Sequence, residues 1–515
     1  MRTLTTAQRI LGAALILLFM EVHAGYASPL KINADNPRYF QDSTGRTLYF
    51  AGSSTWFVLQ ENGHRADKKR IADFLNWLKA WGHNYTRVWS FFFYMQNNKG
   101  PQKPWPYLRT GPGLANDGLP KFDLKKMNAQ YVERVKYFLE EAEKRNIFCS
   151  IMLFGSGNEL RQYDSFKKRV AWHPDNNINV RAGLIENGKE FYSMKPELLE
   201  LQEDHVRRVI DQLNHFDNFA WEIINEAVLP ESKEWQYHMI RLVREYERTK
   251  PKQHLVIMSG GHNEAGGILE DSPADIISPD GSFHNYKDGG PAAYIDKVVL
   301  NDTDHLWGFS RVEQAEVYRK WVWKTFLRGN HCIFMDDYDS FLNNNNGQVN
   351  PAYDLIRKNL GYTVDYAMRF SDLAKMVPDT SVASTKYALA NKGQEYLVYF
   401  PNDENESRKD KSKSQKVKKF LSRLWESIFS KPNTSKRSFS VQMQKGTYER
   451  TWFDPKHSTS VQDQLVCDKE GPVVFSIPKE IAGDVVVHLE KLPASTSEAS
   501  VRRHATDSQL LGGTR

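Results

Sequence analysis

The chain is short of cysteine, net charge and long apolar runs, and each shortage removes a class of protein. Three cysteines, Cys149, Cys332 and Cys467, among 515 residues cannot build a disulfide framework. A formal charge of +6, much of it from one segment described below, gives no ground for a nucleic-acid partner. Neither common Gly-rich phosphate loop is present, so no nucleotide cofactor is expected. No HExxH and no paired Cys/His spacing occurs, so no metal is expected, although Asp302, Asp304 and His305 lie close together in sequence. The apolar stretch at 10–20 is too short for a membrane span. With Arg2 and Arg9 before it and Val22-His23-Ala24 or Gly25-Tyr26-Ala27 after it, residues 1–27 read as a secretory signal peptide. The mature chain is therefore expected to be secreted or periplasmic.

Aromatic residues are abundant instead, at 12% with 13 Trp and 23 Tyr. That supply suits stacking on sugar rings, although aromatic cores account for it equally. The length accommodates two or three domains.

From residue 48 to about 337, apolar strands alternate with helical patterns. Strands are predicted to start near Leu48, Tyr85, Ile147, Ala220, Leu255, Asp275, Lys297 and Cys332. Apolar spacing predicts helices over 71–80, 131–145, 198–213 and 313–328, and a long loop over 101–122. Alternating βα units imply parallel strands, and eight of them over this length predict an α/β fold, a (β/α)8 TIM barrel, over 28–378. After about residue 380, period-two runs such as 396–400, 438–441, 448–453, 473–477 and 484–489 predict a small antiparallel β-sandwich over 379–492. It carries an insertion at 403–437 that opens with a charge run and contains an amphipathic basic stretch. That stretch fits weak contact with an anionic membrane or polysaccharide surface; the alternative is a solvated loop with a helical turn packed on the sandwich. Residues 493–515 are Ser/Thr/Ala-rich and read as a disordered tail.

The stretch Trp221-Glu222-Ile223-Ile224-Asn225-Glu226 reads as a buried strand that emerges at the barrel mouth, where catalytic groups sit. A carboxylic acid beside aromatics there can be kept protonated and act as a general acid; a helix-capping glutamate is the plainer alternative. Hydrolysis of a glycosidic bond needs a second carboxyl, about 5–5.5 Å away for retention of configuration and further for inversion. Asp302, at the end of the seventh strand, is the candidate, and Asp304 shares its strand parity. Arg87, on strand two, is placed to hold such a carboxylate ionised or to form a structural salt bridge. His284 and Tyr286 follow strand six as candidate hydrogen-bonders of nucleophile or sugar. Asn225, His305, Asp336 and the aromatics Trp56, Trp89 and Trp307 complete the candidate substrate contacts.

Several blocks resemble the apiosidase-like group of the large clan of retaining (β/α)8 glycoside hydrolases. These are Ala51-Gly52-Ser53-Ser54-Thr55-Trp56, the run from Gly82 to Trp89, Arg109-Thr110-Gly111-Pro112-Gly113 with Lys121-Phe122-Asp123-Leu124, and the stretch from Glu222 to Glu226. The resemblance covers about residues 35–375. The run from Tyr448 into Trp452-Phe453-Asp454-Pro455 is similar to a sandwich labelled a collagen-binding domain, a label with no support from these residues. The resemblance implies a carbohydrate substrate, Glu226 as acid/base and a strand-seven carboxylate as nucleophile. The clan has Glu there, and Asp302 is one methylene shorter. The expectation is an O-glycoside hydrolase, retaining if the pair is intact; the alternative is a carbohydrate-binding protein on a degenerate barrel.

Overall fold

The computed structural model describes residues 26–60, 67–90, 103–157, 160, 163–261, 267–279, 281, 285–290, 296–303, 306, 314–336, 338, 349–402 and 437–493. The expected signal peptide up to residue 25, nearly all of the basic insertion and the tail from 494 lie outside the described residues.

Eight parallel strands form the barrel: β1 (Ala51–Ser54), β2 (Tyr85–Val88), β3 (Phe148–Met152), β4 (Phe219–Glu222), β5 (Val256–Ser259), β6 (Ile276–Ser278), β7 (Val298–Asp302) and β8 (His331–Met335). All starts fall within three residues of the sequence expectation. The ladder runs β1-β8-β7-β6-β5-β4-β3-β2. Its two ends are joined by Asn84 N–H donating to Ala51 O at 3.2 Å and by Thr86 Oγ1 donating to Ser53 O at 3.0 Å. Gly52 makes that closure possible, because a Cβ there would lie 2.1 Å from the Tyr85 carbonyl oxygen.

Helices α1 (Lys68–Ala80), α2 (Ala129–Glu143), α3 (Pro196–Leu213), α4 (Lys233–Glu247), α5 (Ala315–Leu327) and α6 (Asp354–Arg369) surround the strands. Their starts follow local chemistry: Asp67 and Asn128 accept backbone N–H groups of the first turns of α1 and α2, and Pro196 opens α3. Each buries one apolar stripe on the sheet, such as Ile71, Phe74, Leu75 and Leu78 of α1. The apolar spacing had not singled out α4 or α6.

The loop expected over 101–122 is corrected in part. Tyr107–Leu114 and Pro120–Met127 pair as an antiparallel hairpin. It is held by Phe122 N–H donating to Asn176 O at 2.9 Å and by Ile178 N–H donating to Phe122 O at 2.9 Å. Its Gly-Pro-Gly run and outward-facing Leu108 and Leu114 hide the alternation that marks a strand.

The strand entrances are plugged by Phe40 and Phe50 against Phe148, Ala220, Ile257, Ile276, Val298 and Ile333. Above that apolar floor the interior turns polar.

The antiparallel unit follows. Its six-stranded sheet has the order β9 (Val377–Pro378), β10 (Ala388–Asn391), β11 (Glu395–Phe400), β16 (Val485–Lys491), β13 (Gly446–Asp454), β14 (Thr459–Cys467). It packs on a two-stranded ribbon, β12 (Ser438–Met443) with β15 (Gly471–Ser476), through Val398, Phe439, Trp452, Phe475 and Val487. It docks on α5 and α6 through buried polar contacts. Both terminal nitrogens of Arg319 donate to Asp484 at 2.7 Å, Tyr399 Oη donates to the same carboxylate at 2.7 Å, and Asn359 Nδ2 donates to Pro455 O at 3.0 Å.

Among the described residues no helix is long and apolar enough to cross a membrane.

Candidate active site

Side chains alternate across each strand, so the interior positions of β2, β3, β4, β6 and β7 place Arg87, Ser150, Glu222, Ser278 and Asp302 in one layer. Arg87 organises it. Its Nε lies 3.1 Å from Glu222 Oε2, Nη1 is 2.9 Å from Asp302 Oδ2, and Nη2 donates to Ser278 Oγ at 3.1 Å. Nη1 also reaches Asn225 Oδ1 at 3.4 Å. One guanidinium nitrogen thus touches the residue preceding Glu226 and the strand-seven carboxylate. Arg87, Glu222 and Asp302 are all buried, so the attraction between them is weakly screened. The Glu222 carboxyl is held above the ordinary range: burial raises it most and Asp302 adds to that, against Arg87 and the Ser150 hydroxyl, which donates to Glu222 Oε2 at 3.3 Å and lowers it.

Glu226 lies four residues beyond Glu222, where β4 leaves the sheet, and is 6% exposed. Its φ of +50° is in the left-handed region, which costs a non-glycine residue about 1–2 kcal/mol. The surroundings hold it there. Asn225 N–H donates to Gly155 O at 3.2 Å, Gly157 N–H donates to Asn225 O at 2.7 Å, and Glu226 N–H donates to Ser259 Oγ at 3.4 Å. Two glycines admit its carbonyl: a Cβ at Gly157 would sit 2.3 Å from Glu226 O, and one at Gly261 would sit 2.7 Å from it. Strained backbone held by its neighbours is a mark of functional sites.

Tyr286 is brought to the same place, though not to the carboxylate. Its hydroxyl accepts from Asp302 N–H at 2.8 Å and donates to Asp302 O. Trp56 and Trp89 meet above the polar layer with centroids 5.7 Å apart. Trp56 is half-buried. Trp89 is 4% exposed, and its Nε1 donates to Ser54 Oγ at 3.2 Å. Trp89 therefore packs in a buried cluster with Phe57, Met152 and Met335.

Asp336 also departs from expectation. Opposite in parity to the inward Met335, it lies between β8 and α6. There Arg357 Nε donates to it at 2.9 Å, Arg357 Nη2 at 2.5 Å and Ser53 Oγ at 2.9 Å. It is an internal ion-pair partner, away from the mouth. His284, Asp304, His305 and Trp307 lie outside the described residues. No group of three or more His, Cys, Asp or Glu among the described residues is placed to hold a metal ion.

The sequence reading gave no role to Glu222, Ser150 or Ser278. The signal was available in part: Glu222 is a second carboxylate in the same stretch, four residues before Glu226. Their meeting on one guanidinium depends on barrel register, which no local pattern encodes.

A family model described as a domain of unknown function (DUF6298) matches residues 96–278. Mannan endo-1,4-beta-mannosidase 4 of Oryza sativa subsp. japonica is 21% identical over 293 residues, 54% of this chain and 56% of its own length. The chain thus spans little more than half of that relative. A glycoside hydrolase family 5 structure from Bacteroides vulgatus superposes with a TM-score of 0.56 at 13% identity, covering 90% of this chain and 93% of that one. A second solved structure, a glycoside hydrolase, gives 0.55 at 12% identity over 90% and 97% of the two chains. At such identities the likeness is one of fold: the chain has the (β/α)8 barrel architecture of its glycoside hydrolase neighbours.

Proposed function

We propose that the chain is an exported O-glycoside hydrolase acting on a polysaccharide or its side chains, with Glu226 as acid/base and Asp302 as the attacking carboxylate. The contact of Arg87 Nη1 with both Asn225 and Asp302 carries this reading. It ties the residue before Glu226 to the strand-seven carboxylate through one nitrogen. A retaining outcome is favoured, with no cofactor required. The fold likeness to glycoside hydrolases and the mannanase relative support the substrate class. The apiosidase-like resemblance adds side-chain sugars to the linkages worth testing.

One observation favours a second reading, a glycan-binding protein on the same barrel: the Asp302 side chain is 0% exposed. A shorter, enclosed carboxylate is poorly placed for attack, and Asp304, two residues further at the same parity, is the alternative nucleophile.

The deciding experiment measures sugar release from a panel of plant and bacterial polysaccharides, mannan included, by wild type, Glu226→Gln, Asp302→Asn and Asp304→Asn. Loss of turnover in Glu226→Gln and Asp302→Asn, with azide rescue of the latter giving an inverted glycosyl azide, supports the pair. Rescue of Asp304→Asn instead moves the nucleophile two residues. Binding without release by wild type selects the second reading.

A further inference from the structure

We propose that Glu222 is a positioning residue for the strand-seven carboxylate, acting as an ion-pair partner 3.1 Å from Nε of Arg87 and so setting the share of the guanidinium charge that reaches Asp302. This rests on the hydrolase reading above, with Asp302 attacking. The geometry is a buried carboxylate–guanidinium–carboxylate bridge across three strands, 3.1 Å on the Glu222 side and 2.9 Å on the Asp302 side. Glu222 is braced from β3 by Ser150 Oγ at 3.3 Å, which in turn accepts from Tyr85 Oη at 2.9 Å. Its second oxygen, Oε1, has no hydrogen-bond partner among the described residues. Arg87 and Ser150 are thus the groups that favour its ionised form, against burial and Asp302.

Among the described residues, the groups facing Asp302 include Arg87 from β2, Glu222 from β4 and Tyr286 from the segment after β6, with Cys332 of β8 nearby. Burial pushes the Tyr85 hydroxyl and the Cys332 thiol up, so neither carries charge near neutrality. The two carboxylates thus compete for one guanidinium, and their titrations are coupled.

If Glu222 becomes a neutral amide of the same shape, Arg87 acts on Asp302 alone. Asp302 then binds its proton less tightly and is a weaker nucleophile. In Glu222→Gln the acid limb of kcat/KM is expected to move down by about 1 pH unit, with kcat lowered roughly tenfold and KM little changed. Ser150→Ala removes a donor from Glu222, raises its proton affinity and should move the limb the same way by less. Denaturation midpoints of both variants are recorded alongside. A Glu222 that merely holds the barrel together would lower the midpoint and leave the limb in place, and that result overturns the proposal. If Glu222→Gln does not fold, the limb of Ser150→Ala decides. Failure of both to fold marks the layer as purely structural and also overturns it. Wild type that releases no sugar refutes the hydrolase reading itself, a result distinct from active variants with unmoved limbs.

Discussion

Gly157→Ala tests whether the backbone around Glu226 is as tightly determined as its geometry implies. The added methyl would lie 2.3 Å from Glu226 O and 2.8 Å from Ala227 Cα, both backbone atoms. Restoring even a marginal contact requires the carbonyl to retreat by roughly 0.7 Å, and comfortable contact requires about 1 Å. Glu226 has no slack to absorb this, since it already sits at φ +50° with Gly261 against its other side. Overpacking of this kind costs about 1–3 kcal/mol, so a domain of this size should remain folded. Displacing a catalytic carboxyl by about 1 Å costs on the order of 10²-fold in rate. The assay compares kcat/KM and melting temperature for Gly157→Ala and for Gly483→Ala, where an added Cβ meets nothing within 4 Å. A folded Gly157→Ala variant with kcat/KM within threefold of wild type would refute the reasoning.

Three further outcomes are expected. Arg87→Met leaves two buried carboxylates without their guanidinium and should cost roughly 3–5 kcal/mol in urea unfolding, with part recovered in Arg87→Met/Glu222→Gln; a loss under 1 kcal/mol would contradict the buried-bridge account. Burial holds His83, His205 and His331 at about 4 against an ordinary 6.5, so the fold keeps them neutral. Their contribution is whole above pH 6.5 and is lost as pH falls from 6.5 toward 4, at about 4 kcal/mol per pH unit for the three once the unfolded imidazoles are fully charged; urea titrations at pH 7, 6 and 5 that superimpose would rule this out. Asp484→Ala removes the bidentate partner of the buried Arg319 at the junction of barrel and sandwich, leaving it Glu316, and should cost roughly 1–3 kcal/mol. Calorimetry should then resolve separate barrel and sandwich transitions, and a single unshifted transition would argue against the contact joining the two units.

The barrel was legible because a parallel strand covered on both faces is written as a short, nearly unbroken apolar run, as in Phe148–Met152 and Val298–Asp302. The sandwich was legible from the opposite pattern, period two. Side chains that answer to a distant partner were not legible. Asp336 and Asp302 both end apolar strands and look alike in sequence, yet one residue of parity sends the first outward to Arg357 and the second inward to Arg87. Trp89 looks like any aromatic at a strand end until its neighbours Phe57, Met152 and Met335 are seen to enclose it. The hairpin at Tyr107–Met127 was hidden because its glycines and a proline occupy positions where a strand normally declares itself.

The Tyr286 hydroxyl occupies the place of a missing strand neighbour. The ladder between β6 and β7 pairs Ile276 with Val298 and Ile277 with Val299, and goes no further. Beyond it, the Asp302 N–H and carbonyl both meet a phenol carried by the segment that follows β6. Strand and segment are thereby geared together, the phenol contact being backed by Asn301 Nδ2, which donates to Gly289 O at 3.1 Å.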